Sequence, residues 1–246
     1  MMQKQSPPVN TVAMLANVGM CVSALERAMS RSEHLPGMVT LYGPSGYGKS
    51  TAAVYAANKH QCYHVQCMSA WTKKSFLENV LREMGVSPGR TVADMTLQAG
   101  EQLALSRKPL IIDEMQYIAD KKAVEIVQDV YEASGGAPML LIGEEILPDR
   151  LRQWERFHGR MLDWIPAQPA DLNDARCLRD LYCHQIRIED DLLERVTEIA
   201  RGSVRRICVN LDRIEQATLA EGADSIDLAA WGSRPLWTGE APRRRV

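Results

Sequence analysis

The chain has no excess of either charge: 29 Lys and Arg stand against 31 Asp and Glu in 246 residues, a formal net charge of −2. So weak a mean field gives no general attraction to nucleic acid, and any DNA contact must come from a local basic patch. Long apolar runs are also missing. None approaches the roughly 20 residues needed to cross a membrane. The polar start MMQKQSPPVN lacks the pattern of a secretory signal, so a cytoplasmic protein is expected. The six cysteines have no metal-site spacing. Cys62 and Cys67 flank His64 on a predicted strand, and Cys177, Cys183 and His184 fall on a predicted helix; neither set has zinc-ribbon or zinc-finger spacing. Reduced, packed thiols are the expectation. What remains, 46% hydrophobic and 24% charged residues, suits a globular chain with one α/β domain and a smaller second one.

Against that ordinary background stands GPSGYGKS, Gly43 to Ser50. It fits G-x-x-x-x-G-K-[ST] at every fixed position. An apolar, strand-like segment precedes it (Met38 to Tyr42), and an alanine-rich, helix-forming one follows (Thr51 to Asn58). Glycines at 43, 46 and 48 let the backbone curl so that its N–H groups face phosphate oxygens at the positive end of a helix. Gly43, Pro44, Ser45, Gly46, Tyr47, Gly48, Lys49, Ser50 and Thr51 are the candidate nucleotide-binding set. Lys49 would reach the β- and γ-phosphates, and the Ser50 hydroxyl would ligate Mg²⁺.

A second run, Leu110 to Glu114 (LIIDE), points to hydrolysis of ATP. Its apolar residues suit a buried strand of a parallel sheet, with Asp113 at the carboxyl end, where ligands bind in open α/β sheets. Asp113 would hold Mg²⁺ through water. Glu114 would orient the attacking water or accept its proton.

Residues 1–10 read as a flexible arm, and Thr11 to about Met29 as a helix. Strands are predicted near 38–42, 62–67, 109–113, 138–143 and 161–165. Helices are predicted near 49–59, 72–84, 92–106, 120–134 and 145–156. That alternation implies a parallel sheet covered on both faces, an α/β domain spanning 11–168. A linker, Pro166 to Pro169, leads to three amphipathic stretches near 172–184, 190–201 and 204–221 with no clear strand, a small helical domain over 169–230. The tail 231–246 carries Arg243, Arg244 and Arg245 and lacks an evident core of its own.

Five strands, a helical lid and an Asp-Glu pair ending the third strand resemble the AAA+ P-loop ATPases. The features GPSGYGKS, PLIIDEMQYI, MLLIGEE, RFHGRM and GSVRR are most similar to the transposition ATPases of the Mu B and TnsC type. The resemblance implies a homo-oligomer, as a ring or helical filament, with ATP bound between subunits in a bacterial host cell. Arg160 matches the place of the arginine finger, with Arg156 as runner-up. Arg205, in Gly202-Ser203-Val204-Arg205, matches the sensor-2 arginine, with Arg206 beside it. Glu144 stands where many members carry a polar sensor-1 residue; a carboxylate there would be repelled by the γ-phosphate. The family also implies loops that grip duplex DNA without reading sequence. The candidates are Trp71, Thr72, Lys73 and Lys74, and the pair Lys121 and Lys122, both clusters expected at helix starts. Only 37 residues precede the first strand, too few for the DNA-binding module of Mu B together with the entry helix, so TnsC is the nearer comparison.

The implied partners are duplex DNA and a transposase, with no membrane. A helicase loader or replication-initiation ATPase uses the same core and remains open. A small-molecule P-loop kinase fits less well, because Glu114 beside Asp113 suits water activation. An ExeA-like secretion ATPase would need membrane- or wall-binding segments.

Overall fold

The computed structural model describes residues 12–240. The expected arm (1–10) and Arg243, Arg244 and Arg245 lie outside them. The described chain divides into two compact units. One comprises Asn17–Ser45 and Lys49–Ala167; the other comprises residues 12–16, Gly46–Gly48 and residues 168–240.

The first unit opens with α1 (Ala16–Ser30), then β1 (Met38–Tyr42), α2 (Lys49–His60), β2 (Tyr63–Gln66), α3 (Lys73–Glu83) and α4 (Val92–Ser106). It continues with β3 (Leu110–Asp113), α5 (Gln116–Asp120), α6 (Val124–Ala133), β4 (Met139–Gly143), α7 (Leu147–Leu151), α8 (Glu155–His158) and β5 (Met161–Pro166). The five strands form one parallel sheet in the order β2-β3-β4-β1-β5. Parallel strands covered on both faces need apolar residues at successive positions. β3 and β4 supply them: every residue of each is buried. Leu110, Ile112, Met139 and Leu141 face a core that includes Phe76, Leu77, Met95 and Leu103 from α3 and α4. The intervening Ile111 and Leu140, equally buried, point to the opposite face by the pleat of the strand. The alanines of α2 (Ala52, Ala53, Ala56 and Ala57) are buried as well. No helix of the described residues is long and apolar enough to cross a membrane.

Two predicted helices are divided. The stretch near 120–134 becomes α5, which begins earlier at Gln116, and α6, with Lys122 between them at φ 51°. The stretch near 145–156 becomes α7 and α8. Pro148, which has no N–H to donate, sits in the first turn of α7, and the Trp154 N–H turns back to the Leu151 carbonyl at 3.0 Å where α7 has ended. Helix α1 starts at Ala16 rather than near Thr11.

The second unit contains α9 (Leu172–Tyr182), β6 (Arg187–Ile188), α10 (Asp190–Ala200), α11 (Val204–Ala220), β7 (Ser225–Ile226) and α12 (Leu228–Trp231). The strands β6 and β7 pair in parallel, a departure from the strandless reading. Two residues are too few for an alternating pattern to register in sequence; Ile188 and Ile226, both buried, make the bridge. The described part of the tail is anchored. The Asn210 amide donates to the Trp237 carbonyl (3.0 Å) and accepts from the Trp237 N–H (2.7 Å), while Arg213 lies over the Trp237 ring.

Candidate nucleotide site

Within the first unit, the loop after β1 is pinned to the end of β4 by a hydrogen bond from the Gly43 N–H to the Gly143 carbonyl (3.3 Å). Lys49, the first residue of α2, is buried and donates from Nζ to the carbonyls of Gly43 (2.7 Å) and Pro44 (2.9 Å). Burial lowers its pKa below the ordinary lysine value, while the carboxylates of Glu114, Asp113, Glu144 and Glu145 push the other way. Lys49 therefore sits in the field of all four acids. Ser50 is half-buried beside it, Thr51 is exposed on the next position of α2, Pro44 is half-buried and Ser45 is exposed.

Asp113 ends β3 at 2% exposure. Its Oδ1 accepts the Glu114 N–H (2.8 Å), and Oδ2 is buried with no hydrogen-bond partner. An orphaned carboxylate oxygen is costly unless a cation or a bound water satisfies it. The donor set of Ser50 and Asp113, hard oxygens only, suits Mg²⁺. In the order β3-β4-β1 one strand separates Asp113 from the loop, about 10 Å across the sheet. Glu114 follows at φ 57°, a left-handed backbone uncommon for a residue with a side chain. Its Oε2 accepts from the Gln116 amide. The Gln116 carbonyl accepts the Glu144 N–H at 3.3 Å, while the Glu144 side chain is exposed. Gln116 does not stand out in the sequence, where it reads as one more polar residue after an acidic pair. A cleft of about 320 Å³ lined by Gln66, Cys67, Met68, Ser69, Glu114 and Tyr117 opens beside Glu114.

Arg160 lies at the other end of the sheet. Its carbonyl accepts the Met38 N–H (3.1 Å) at the start of β1, whereas the glycine loop follows Tyr42, about 13 Å further along the strand. Its guanidinium pairs with Glu132 (3.0 Å), with Arg156 at 4.0 Å from the same carboxylate. Gln128 and then Arg160 hold the Glu132 carboxyl below the ordinary value.

In the second unit Ser203 caps α11, with Arg205 exposed in its first turn beside Arg206. Gly46 (φ 88°) and Gly48 (φ 79°) group with this unit, and the Arg205 N–H donates to the Gly46 carbonyl at 3.3 Å.

Of the basic clusters, Thr72 caps α3 by accepting the Ser75 N–H (3.1 Å), with Lys73 and Lys74 exposed in the first turn and Lys74 3.9 Å from Glu78. Lys121 and Lys122 do not start a helix as expected. Lys121 is the C-cap of α5, where a cation is favoured, and its Nζ donates to the Trp71 carbonyl. All six cysteines are free thiols, and no cluster of three or more metal-ligating His, Cys, Asp or Glu residues occurs among the described residues.

Residues 32–151 match the family model described as "AAA domain". The ORC2 protein of Aeropyrum pernix, in ADPNP and ADP complexes, superposes with a TM-score of 0.67 at 17% identity, over 92% of this chain and 67% of that one. The ORC1 protein of Aeropyrum pernix in complex with DNA gives 0.60 at 16%, over 89% and 64%. Domain III of the Thermotoga maritima replication initiation protein DnaA gives 0.57 at 15%, over 92% and 95%. The chain thus spans about two thirds of the two ORC structures. No curated protein matches the sequence. These likenesses show the fold: an α/β AAA+ P-loop NTPase fold with a five-stranded parallel sheet.

Proposed function

We propose that this chain is an ATPase that assembles with copies of itself on duplex DNA, without reading sequence, and presents that DNA to a transposase. The observation that carries the ATPase reading is the buried, unsatisfied Asp113 oxygen at the carboxyl end of β3, in a sheet whose β1 leads to a loop with the buried Lys49 on its carbonyls. Lys49 would exchange the Gly43 and Pro44 carbonyls for β- and γ-phosphate oxygens. Ser50 and, through water, Asp113 would hold Mg²⁺, which when bound neutralises phosphate charge. Glu114 takes a proton from the attacking water as the water oxygen bonds to the γ-phosphorus. The bond from that phosphorus to the β–γ bridging oxygen breaks, leaving ADP and phosphate. Arg160, remote from its own loop, would complete the site of a neighbouring copy, where a planar, permanently charged guanidinium can neutralise the transferring group. Arg205, exposed at a helix start, is suited to the γ-phosphate. Glu144 stays a weak candidate sensor, since its side chain is exposed and only its N–H engages Gln116.

The second reading is a replication-initiation or helicase-loading ATPase. The names of similar structures favour it: DnaA is a replication initiation protein, and an ORC1 structure holds DNA. Both readings share the ATPase and the DNA. The test is ATP turnover and DNA affinity measured on several duplexes of unrelated sequence, with and without a transposase or a replicative helicase. Turnover with ATP-dependent, sequence-indifferent binding, stimulated by the transposase, is expected. Stimulation by the helicase alone selects the second reading, and absence of turnover rejects both.

A further inference from the structure

We infer that Gln116 is a positioning residue for hydrolysis, holding the Glu114 carboxylate and tying it to the end of β4; this rests on the reading of Glu114 as the group that activates water. The amide has one orientation that works. A carboxylate only accepts and a backbone N–H only donates, so the Gln116 NH₂ must face Glu114 and its carbonyl must face Glu144. One side chain therefore spans the ends of the neighbouring strands β3 and β4, the second of which lies next to β1 and its loop.

Three further features converge on that amide. Gln116 is 2% exposed and followed by Ile118 and Ala119, also buried, so an apolar side chain would pack there without the cost of burying an amide. Gly143 leaves the space it occupies: a Cβ at 143 would lie 3.0 Å from Gln116 Oε1 and 2.6 Å from Leu147 Cδ2. The backbone between Glu114 and Gln116 is fixed as well, with the Met115 N–H on the Ile142 carbonyl at 2.8 Å. A glutamate has three side-chain torsions, and a hydrogen bond at its tip selects among them. With Oε2 held by Gln116, the position of the carboxylate follows the end of β4, so a shift of Gly143 or Glu144 would be felt at Glu114 through one amide.

The test is a double-mutant cycle in single-turnover hydrolysis with excess enzyme: the unaltered protein, Gln116→Met, Glu114→Gln and the double variant. Binding of a fluorescent ATP analogue is measured alongside. Gln116→Met is expected to slow hydrolysis about 10- to 100-fold, as misplacing a reacting group by about an ångström does, with nucleotide affinity within about twofold. In the Glu114→Gln background the same change should alter the residual rate by less than about twofold, because its effect passes through that carboxylate. Equal reductions in both backgrounds, weaker affinity in place of a slower rate, or no change would overturn the proposal. A merely structural glutamine would act alike in both backgrounds. Should Gln116→Met fail to fold, Gln116→Asn is one methylene too short to hold both partners and should give the same pattern. Normal turnover in Glu114→Gln alone would reject the assignment of the base and this inference with it; slow turnover there with an unimpaired Gln116→Met would reject only the role of Gln116.

Discussion

Lys121 donates from Nζ to the carbonyl of Trp71 at 2.6 Å, across fifty positions of sequence. Two basic clusters that look independent along the chain thus meet: Lys121 sits beside the segment running from Trp71 through Lys73 and Lys74. With a net charge of −2, the chain cannot draw in DNA by its mean field, and a joint patch of this kind is where a DNA backbone would be held.

Replacing Lys73 and Lys74 by Ala should therefore weaken binding by a similar factor on unrelated duplexes and flatten its salt dependence, by about one unit of log–log slope for each phosphate that is no longer neutralised. Adding Lys121→Ala should weaken it further, and ATP binding should persist. Fluorescence anisotropy across a salt series is the check. Unchanged affinity and slope in the triple variant would remove this surface from consideration.

Arg160 faces Glu132, at the end of the sheet away from its own glycine loop, so its removal should spare ATP binding and abolish turnover by the assembled protein. Mixing Arg160→Ala with an excess of Lys49→Ala should restore part of the activity, since some interfaces then combine an intact loop with an intact arginine. Persistent inactivity in a proven co-assembly would exclude a trans role.

What could be read from sequence followed from burial and spacing. β3 and β4 are continuous apolar runs because both faces are covered, and each falls within a residue of its predicted span. The placement of the glycine loop between β1 and α2, and of Asp113 at the end of β3, was legible because apolar strand residues and an alanine-rich helix flank them in sequence. The break between α5 and α6 was not, because an exposed Lys at φ 51° carries no marker such as glycine. Nor was Gln116, whose role arises from a contact with β4 that only the fold creates, or the anchoring of Trp237 by Asn210.

The cysteines give a pH-dependent prediction. Burial is the main cause that pushes Cys21, Cys67 and Cys183 up from 9.0 to about 12, with Asp113 adding to the first two and Glu215 to the third. The fold retains protons that the unfolded chain loses. The resulting stability is present in full below about pH 9 and fades as pH rises toward 12. The unfolding midpoint should accordingly fall between pH 9 and 11, less steeply in Cys21→Ala. At pH 8 a thiol reagent should label exposed Cys177 first and these three only on unfolding. Early labelling of Cys67 would contradict the burial.

The division of labour between Lys49 and Glu114 is tested most directly by measuring nucleotide affinity and single-turnover hydrolysis side by side in Lys49→Ala and Glu114→Gln. Lys49→Ala should lose ATP binding. Glu114→Gln should bind ATP as the unaltered protein does and hydrolyse it at least about 100-fold more slowly, the reduction expected on removing a general base. Hydrolysis at an unaltered rate in Glu114→Gln, or undiminished ATP binding in Lys49→Ala, would contradict the account.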